Sequence, residues 1–329
     1  MKSHDTTQPG DARARKFTAE HLRGILLPCT TPFGEDGRVD ARALRGNIER
    51  WNETGIGGYV ILGSTGERVH LGERETLEVV EAARASVPGH LAFVVGVGQH
   101  GTRESIAEAR RAADAGADAL LVITPHFYRA AMTPAVLSNY YESIADAAPV
   151  PVVLYNIPQN TSVALSPDTI ARLSKHENII GIKDSSGDMV NFLEMLKVAS
   201  GKFSVLTGHA SLLYAALSAG AAGAILAAAC VAPEVAVEIA GLVERGDHER
   251  ARARQSEFTP LARAVTTRFG IGGLKYALDL RRGYAGGEVR APLSMPDDAA
   301  RREIARTLAE CCPYVETENE TKLAEGAVK

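Results

Sequence analysis

Three short stretches hold residue types that could do covalent chemistry together. In "NIIGIKDSSG", residues 178–187, Lys183 directly follows the apolar run 179–182, an unusual place to spend a charged amine. In "VVLYNIPQNT" Tyr155 comes late in another apolar run, and in "GSTGE" Ser64 and Thr65 stand between Gly63 and Gly66. An amine that loses hydration favours its neutral form and becomes a nucleophile towards carbonyls. A phenol can give and take protons. A glycine-flanked turn with two hydroxyls can present N–H and O–H groups to an anion, and a small carboxylate suits it. Singly, each has a plainer account: an ion-paired lysine, a tyrosine whose hydroxyl satisfies a neighbour, a tight turn with local hydrogen bonds. Together they are the minimal set for a Schiff-base lyase acting on a 2-oxo acid. The turn holds the carboxylate, the amine attacks the ketone, and the phenol moves protons as the carbinolamine collapses and a carbon–carbon bond is made or broken. A metal-dependent aldolase would need a ligand cluster instead. The nine histidines are scattered, with no HxH or HxxxH pair at these positions, so no metal is expected.

For those groups to meet, strands must carry them to one end of a sheet. Eight apolar or β-branched runs recur: "GILLP" at Gly24, "GYVILG" at Gly58, "LAFVVGVG" at Leu91, "ALLVIT" at Ala119, "VPVVLYN" at Val150, "IIGIK" at Ile179, "FSVLTG" at Phe203 and "GAILAAA" at Gly223. Helical spacing separates them, as in "TRESIAEARRAADAG", ending on Gly116, and "SPDTIARLSKH", where Ser166 can cap and Pro167 can open the helix. That alternation predicts an α/β fold, a TIM (β/α)₈ barrel over residues 17–230, with catalytic groups at the C-terminal strand ends. An open doubly wound sheet would usually show a phosphate-binding glycine fingerprint after an early strand, and "GSTGE" lacks that spacing. After Ala229 the strand signals stop, and residues 231–312 read as a C-terminal helical domain. Residues 1–16 and 313–329 are polar and aperiodic, the pattern of disordered tails.

Strand alternation gives the side chains a direction. Tyr155 shares a face with Val153, and Lys183 shares one with Gly181, which is expected to leave it room. Ile180 and Ile182 are expected to pack against helices.

The bulk composition narrows the partners. The chain has 329 residues, 36 basic and 40 acidic, with the basic residues spread along it, so no nucleic-acid footprint is expected. Mean hydropathy is −0.06. No run suits a signal peptide or a membrane span. Cys29, Cys230, Cys311 and Cys312 form neither a disulfide framework nor a ligand set, and are read as reduced thiols of a cytoplasmic protein. Arg281, Arg282 and Arg290 are expected to make ordinary surface salt bridges.

"GSTGE", "YNIP" and "GIKDSSGD", in this order on strands two, five and six, resemble the class I pyruvate-dependent aldolase superfamily that includes dihydrodipicolinate synthase and N-acetylneuraminate lyase. The resemblance runs from about Leu22 to Leu308. It implies a TIM barrel with a C-terminal helical domain and a homotetramer built as a dimer of dimers. It also implies a covalent imine between Lys183 and pyruvate with no cofactor, Tyr155 as acid/base, and Ser64 relaying protons. Gly63, Ser64, Thr65, Asn160, Ser185 and Gly208 are the substrate-binding candidates it marks.

Two departures bear on the reaction. The relay tyrosine that the resemblance places in the loop after strand four, supplied by a neighbouring subunit, is here Phe127, with Tyr128 next to it in "TPHFYR". Phenylalanine carries no proton, so either Tyr128 stands in or water does. Asn160 replaces the arginine with which the synthases bind the carboxylate of aspartate semialdehyde. Together with "AVTTRFGIGGLK" and "GYAGGEVRAPL", that favours the 4-hydroxy-2-oxoglutarate aldolase branch, whose products are pyruvate and glyoxylate. The alternatives are dihydrodipicolinate synthase activity and, in another class, a barrel that binds 2-oxo acids without turning them over.

Overall fold

The computed structural model describes residues 16–313. Eight parallel strands close into a barrel in chain order: β1 (Gly24–Pro28), β2 (Gly58–Ile61), β3 (Ala92–Val97), β4 (Ala119–Ile123), β5 (Val152–Asn156), β6 (Ile179–Asp184), β7 (Ser204–Thr207) and β8 (Gly223–Ile225). Apart from Lys16 and Pro313, the two tails expected to lack order lie outside the described residues. Around and between the strands run α1 (Ala41–Trp51), α2 (Glu73–Arg84), α3 (Thr102–Asp114), α4 (Pro134–Ala147), the single turn α5 (Pro158–Thr161), α6 (Pro167–Leu173), α7 (Met189–Val198) and α8 (Leu213–Ser218). Ser166 caps α6 as its sequence suggests, its Oγ accepting from Thr169 N at 3.3 Å. Past β8 come α9 (Pro233–Glu244), α10 (His248–Arg263), α11 (Gly270–Asp279) and α12 (Asp298–Cys311), the C-terminal helices. Among the described residues no helix is long and apolar enough to cross a membrane.

Two apolar layers follow from strand alternation. One face of the strands, with Leu27, Tyr59, Phe93, Leu120, Leu154 and Ile182, packs on the helices. The other fills the barrel with Leu26, Val60, Val94, Leu121, Val153, Leu206 and Ile225, and Leu22 joins that cluster from just before β1. Tyr155 belongs to the inner set, so its expected direction is correct.

Three expectations change. Ile180 lies with the inner cluster, not against helices beside Ile182. The β5 to β6 register shifts between Val152 and Val153, which pair with Ile179 and Gly181, so Ile180 is the extra residue and alternation breaks there. Gly181 leaves no room: a Cβ on it would stand 2.6 Å from Ser204 O and 3.2 Å from Leu22 Cδ1. The run at Gly223 pairs only as far as Ile225, and Ala227–Cys230 coil into a 3₁₀ turn as the chain swings towards α9.

Candidate active site

Tyr155 and Lys183 are register partners across β5 and β6. Both are buried, and Lys183 Nζ stands 4.4 Å from the centre of the Tyr155 ring. The Tyr155 hydroxyl is 3.1 Å from Ser64 Oγ. Ser64 opens a 3₁₀ turn, Ser64–Gly66, directly after β2, while Thr65 is buried in the same turn. Thr31 Oγ1 donates to Gly66 O at 2.8 Å and ties the turn to the end of β1. Three groups from distant parts of the chain thus meet at the C-terminal rim, where barrels of this type carry their chemistry.

Space for the amine comes from Gly208, directly after β7. A Cβ there would lie 2.9 Å from Lys183 Cε and 2.0 Å from Ser185 Oγ. Of the other candidates, Gly63 precedes the turn and Ser185 is buried beside Gly208. Asn160 and Tyr128 are exposed on α5 and on the loop after β4, and neither hydrogen-bonds to Lys183, Tyr155 or Ser64. Phe127 is also exposed, edge-on to Tyr128 with ring centres 5.0 Å apart.

Behind the Lys183 and Tyr155 pair, on the other face of the same strands, lies a polar layer drawn from the same motifs. Asn156 Nδ2 donates to Asp184 Oδ1 at 2.6 Å, and Ser186 Oγ donates to Asp184 Oδ2 at 2.8 Å. Burial pushes the Asp184 carboxyl up, and those two donors pull it back. Asn156 Oδ1 also accepts from Leu165 N at 3.0 Å. Side chains 155 and 183 therefore reach the mouth while 156 and 184 lock the following loops. Glu67, the last letter of "GSTGE", is buried as well, 2.6 Å from Nζ of Lys275 on α11. Its signal was a lysine inside the apolar helix "GIGGLKYAL".

Lys183 and Lys275 are the two buried lysines among the described residues, and the second is taken up by Glu67. Two of the three arginines, Arg281 and Arg290, also differ from expectation, while Arg282 is exposed as expected. Arg281 is buried, bonded to Val231 O and paired with Glu234, because its guanidinium caps the turn before α9. Arg290 is half-buried and grips Glu75 with both ends of its fork. A cavity of about 830 Å³ lies beside the site, lined by Arg68, His100, Glu108 and His126, and none of Lys183, Tyr155 or Ser64 faces it.

A sequence model of the dihydrodipicolinate synthetase family matches residues 21–311. The chain belongs to that family. Members are class I lyases that act through a lysine Schiff base with pyruvate and need no cofactor. The chain is similar to the 4-hydroxy-tetrahydrodipicolinate synthase of Haloarcula marismortui, 35% identical over 89% of this chain and 95% of that one. It is 37% identical to an uncharacterised lyase of Halobacterium salinarum, over 88% and 94% of the two chains. Among solved structures it resembles the pyruvate complex of the dihydrodipicolinate synthase of Acinetobacter baumannii, with a TM-score of 0.82, 29% identity and coverage of 88% and 99%. The superfamily that the motifs indicated, the barrel and its helical tail are therefore established.

Proposed function

We propose that Lys183 is the family's imine-forming lysine, that the 63–65 turn holds the carboxylate of pyruvate, and that Tyr155, bonded to Ser64, moves the protons. The observation that carries this reading is the position of Lys183 Nζ, 4.4 Å over a ring whose hydroxyl reaches Ser64 at 3.1 Å. The amine adds to C2 of pyruvate, and the carbinolamine loses its hydroxyl as water, with Tyr155 supplying the proton. The imine then gives up a methyl proton to become an enamine, which attacks an aldehyde carbon, and hydrolysis returns the amine. Cleavage runs the same steps backwards. Gly208 and Ser185 bound the space around the amine.

For the aldehyde we propose aspartate semialdehyde, so that the enzyme acts as a 4-hydroxy-tetrahydrodipicolinate synthase. The names of its relatives support this over the cleavage of 4-hydroxy-2-oxoglutarate that the motifs favoured. One observation favours the second reading: Asn160, exposed on α5, offers an amide where the synthases have an arginine for the semialdehyde carboxylate. Side-by-side assays of condensation with aspartate semialdehyde and of 4-hydroxy-2-oxoglutarate cleavage test the order. A larger kcat/KM for the cleavage would reverse it, and imine formation with turnover of neither would favour the 2-oxo acid binder.

The exposed Phe127 and Tyr128 fit a face covered by another subunit, and we propose a homotetramer in which Tyr128 serves as the relay across that contact. The four free cysteines fit a cytoplasmic enzyme.

A further inference from the structure

The turn that carries Ser64 and Thr65 is bracketed by two non-glycine residues in the left-handed region, Leu62 with φ 61° and Glu67 with φ 53°. Side chains crowd the backbone there, and such geometry persists only where the surroundings impose it. At Leu62 the imposition is close packing: a Cβ on Gly96 would stand 2.2 Å from Leu62 O. At Glu67 it is a set of polar contacts to a buried carboxylate. Oε1 lies 2.6 Å from Lys275 Nζ, Oε2 accepts the Arg290 N–H at 3.0 Å, and His70 Nδ1 is 3.3 Å from Oε2.

Lys275 is itself fixed from several sides. It has no exposed surface, donates to Glu288 O at 2.5 Å and stands 4.4 Å over the Phe33 ring. Phe33 bridges to both Val39 and Glu288. Arg290, besides Glu75, donates to His70 O at 2.8 Å and to Gly37 O at 2.7 Å. The loop after β1, the segment 286–290 and α11 therefore converge around the Glu67 and Lys275 pair at the end of the 63–66 turn. An apolar pair of similar volume would fill such a place without the desolvation cost of two ions; here the ion pair is kept, with Glu67 Oε2 accepting from Arg290 N and Lys275 Nζ donating to Glu288 O.

We propose that Glu67 and Lys275 are positioning residues: through them α11 sets the place of the Ser64 and Thr65 turn, and with it the grip on the 2-oxo acid carboxylate. The inference rests on the reading of that turn as the carboxylate holder. Neither residue touches substrate. Their loss therefore weakens pyruvate binding more than it alters the chemistry of the bound imine.

The test is borohydride trapping of pyruvate on Lys183 across a pyruvate titration, with thermal unfolding measured alongside, for Glu67→Gln, Lys275→Met and the double variant. The double variant buries no unpaired ion, so it keeps the fold where a single change loses it. In every folded variant the half-saturating pyruvate concentration is expected to rise on the order of tenfold, with full labelling at saturation. Half-saturation equal to wild type, with only the unfolding temperature lowered, would overturn the proposal and leave the pair a structural one. Thr65→Val tests the underlying reading separately. If its half-saturation matches wild type, the turn does not hold the carboxylate, while a rise in the Glu67 and Lys275 variants still shows that the pair governs pyruvate binding.

Discussion

Lys183 and Tyr155 face each other from paired positions of β6 and β5, with the lysine nitrogen 4.4 Å from the centre of the phenol ring. The ring shields the amine on one side, and its hydroxyl points on to Ser64. In the proposed mechanism this separates two jobs within one side chain: the ring packs and the oxygen handles protons.

Tyr155→Phe keeps the ring and removes the oxygen. The fold and the packing over Lys183 should survive, while kcat should fall by about 10²–10⁴-fold, the usual contribution of a positioned acid or base. Unfolding temperature and steady-state kinetics check this. A kcat within about threefold of wild type would remove Tyr155 from the proton path.

Two glycines near the lysine should respond differently to alanine. Gly208→Ala meets the ends of flexible side chains, Lys183 Cε and Ser185 Oγ, so the fold tolerates it but the amine is displaced. Its kcat should drop on the order of 10²-fold. Gly181→Ala meets the backbone oxygen of Ser204 and should cost about 1–3 kcal/mol of stability instead. Denaturant unfolding and kinetics on both variants separate the two outcomes.

That contrast shows what was legible in the sequence. The directions of Lys183 and Tyr155 could be read because a strand has a period of two and both residues end apolar runs. The role of Gly181 could not, since its crowding comes from Leu22 and the β7 backbone, which are distant in the chain. Ile180 was misplaced because a register shift is a property of two strands together. Arg281 looked like a surface residue because its partners, Val231 O and Glu234, lie about 50 positions upstream. The Glu67–Lys275 pair was hidden for the same reason, although each half stood in a quoted motif.

Glu75 should give stability a specific dependence on acid. The Arg290 hydrogen bonds hold its carboxyl at about 2, against an ordinary 4.5, with burial opposing and the Gly72 N–H assisting. A carboxylate with a lowered folded-state pKa stabilises the fold above its unfolded value and loses that contribution as pH falls from 4.5 through 2. The gap in unfolding temperature between wild type and Glu75→Gln should therefore be present at neutral pH and close across that window. A gap independent of pH would mean that the Arg290 contact contributes nothing through charge.

Tyr128→Phe tests the relay. With Phe127 unable to carry a proton, removal of the neighbouring hydroxyl should lower kcat on the order of tenfold while pyruvate still labels Lys183. An unchanged kcat would assign the relay to water.

The most direct measurement is reduction by borohydride in the presence of pyruvate, followed by peptide mass mapping. The expected result is one reduced pyruvyl group per chain, on Lys183, and none on the equally buried Lys275. Label on another lysine, or none on folded protein at saturating pyruvate, would contradict the assignment of Lys183 as the imine-forming residue.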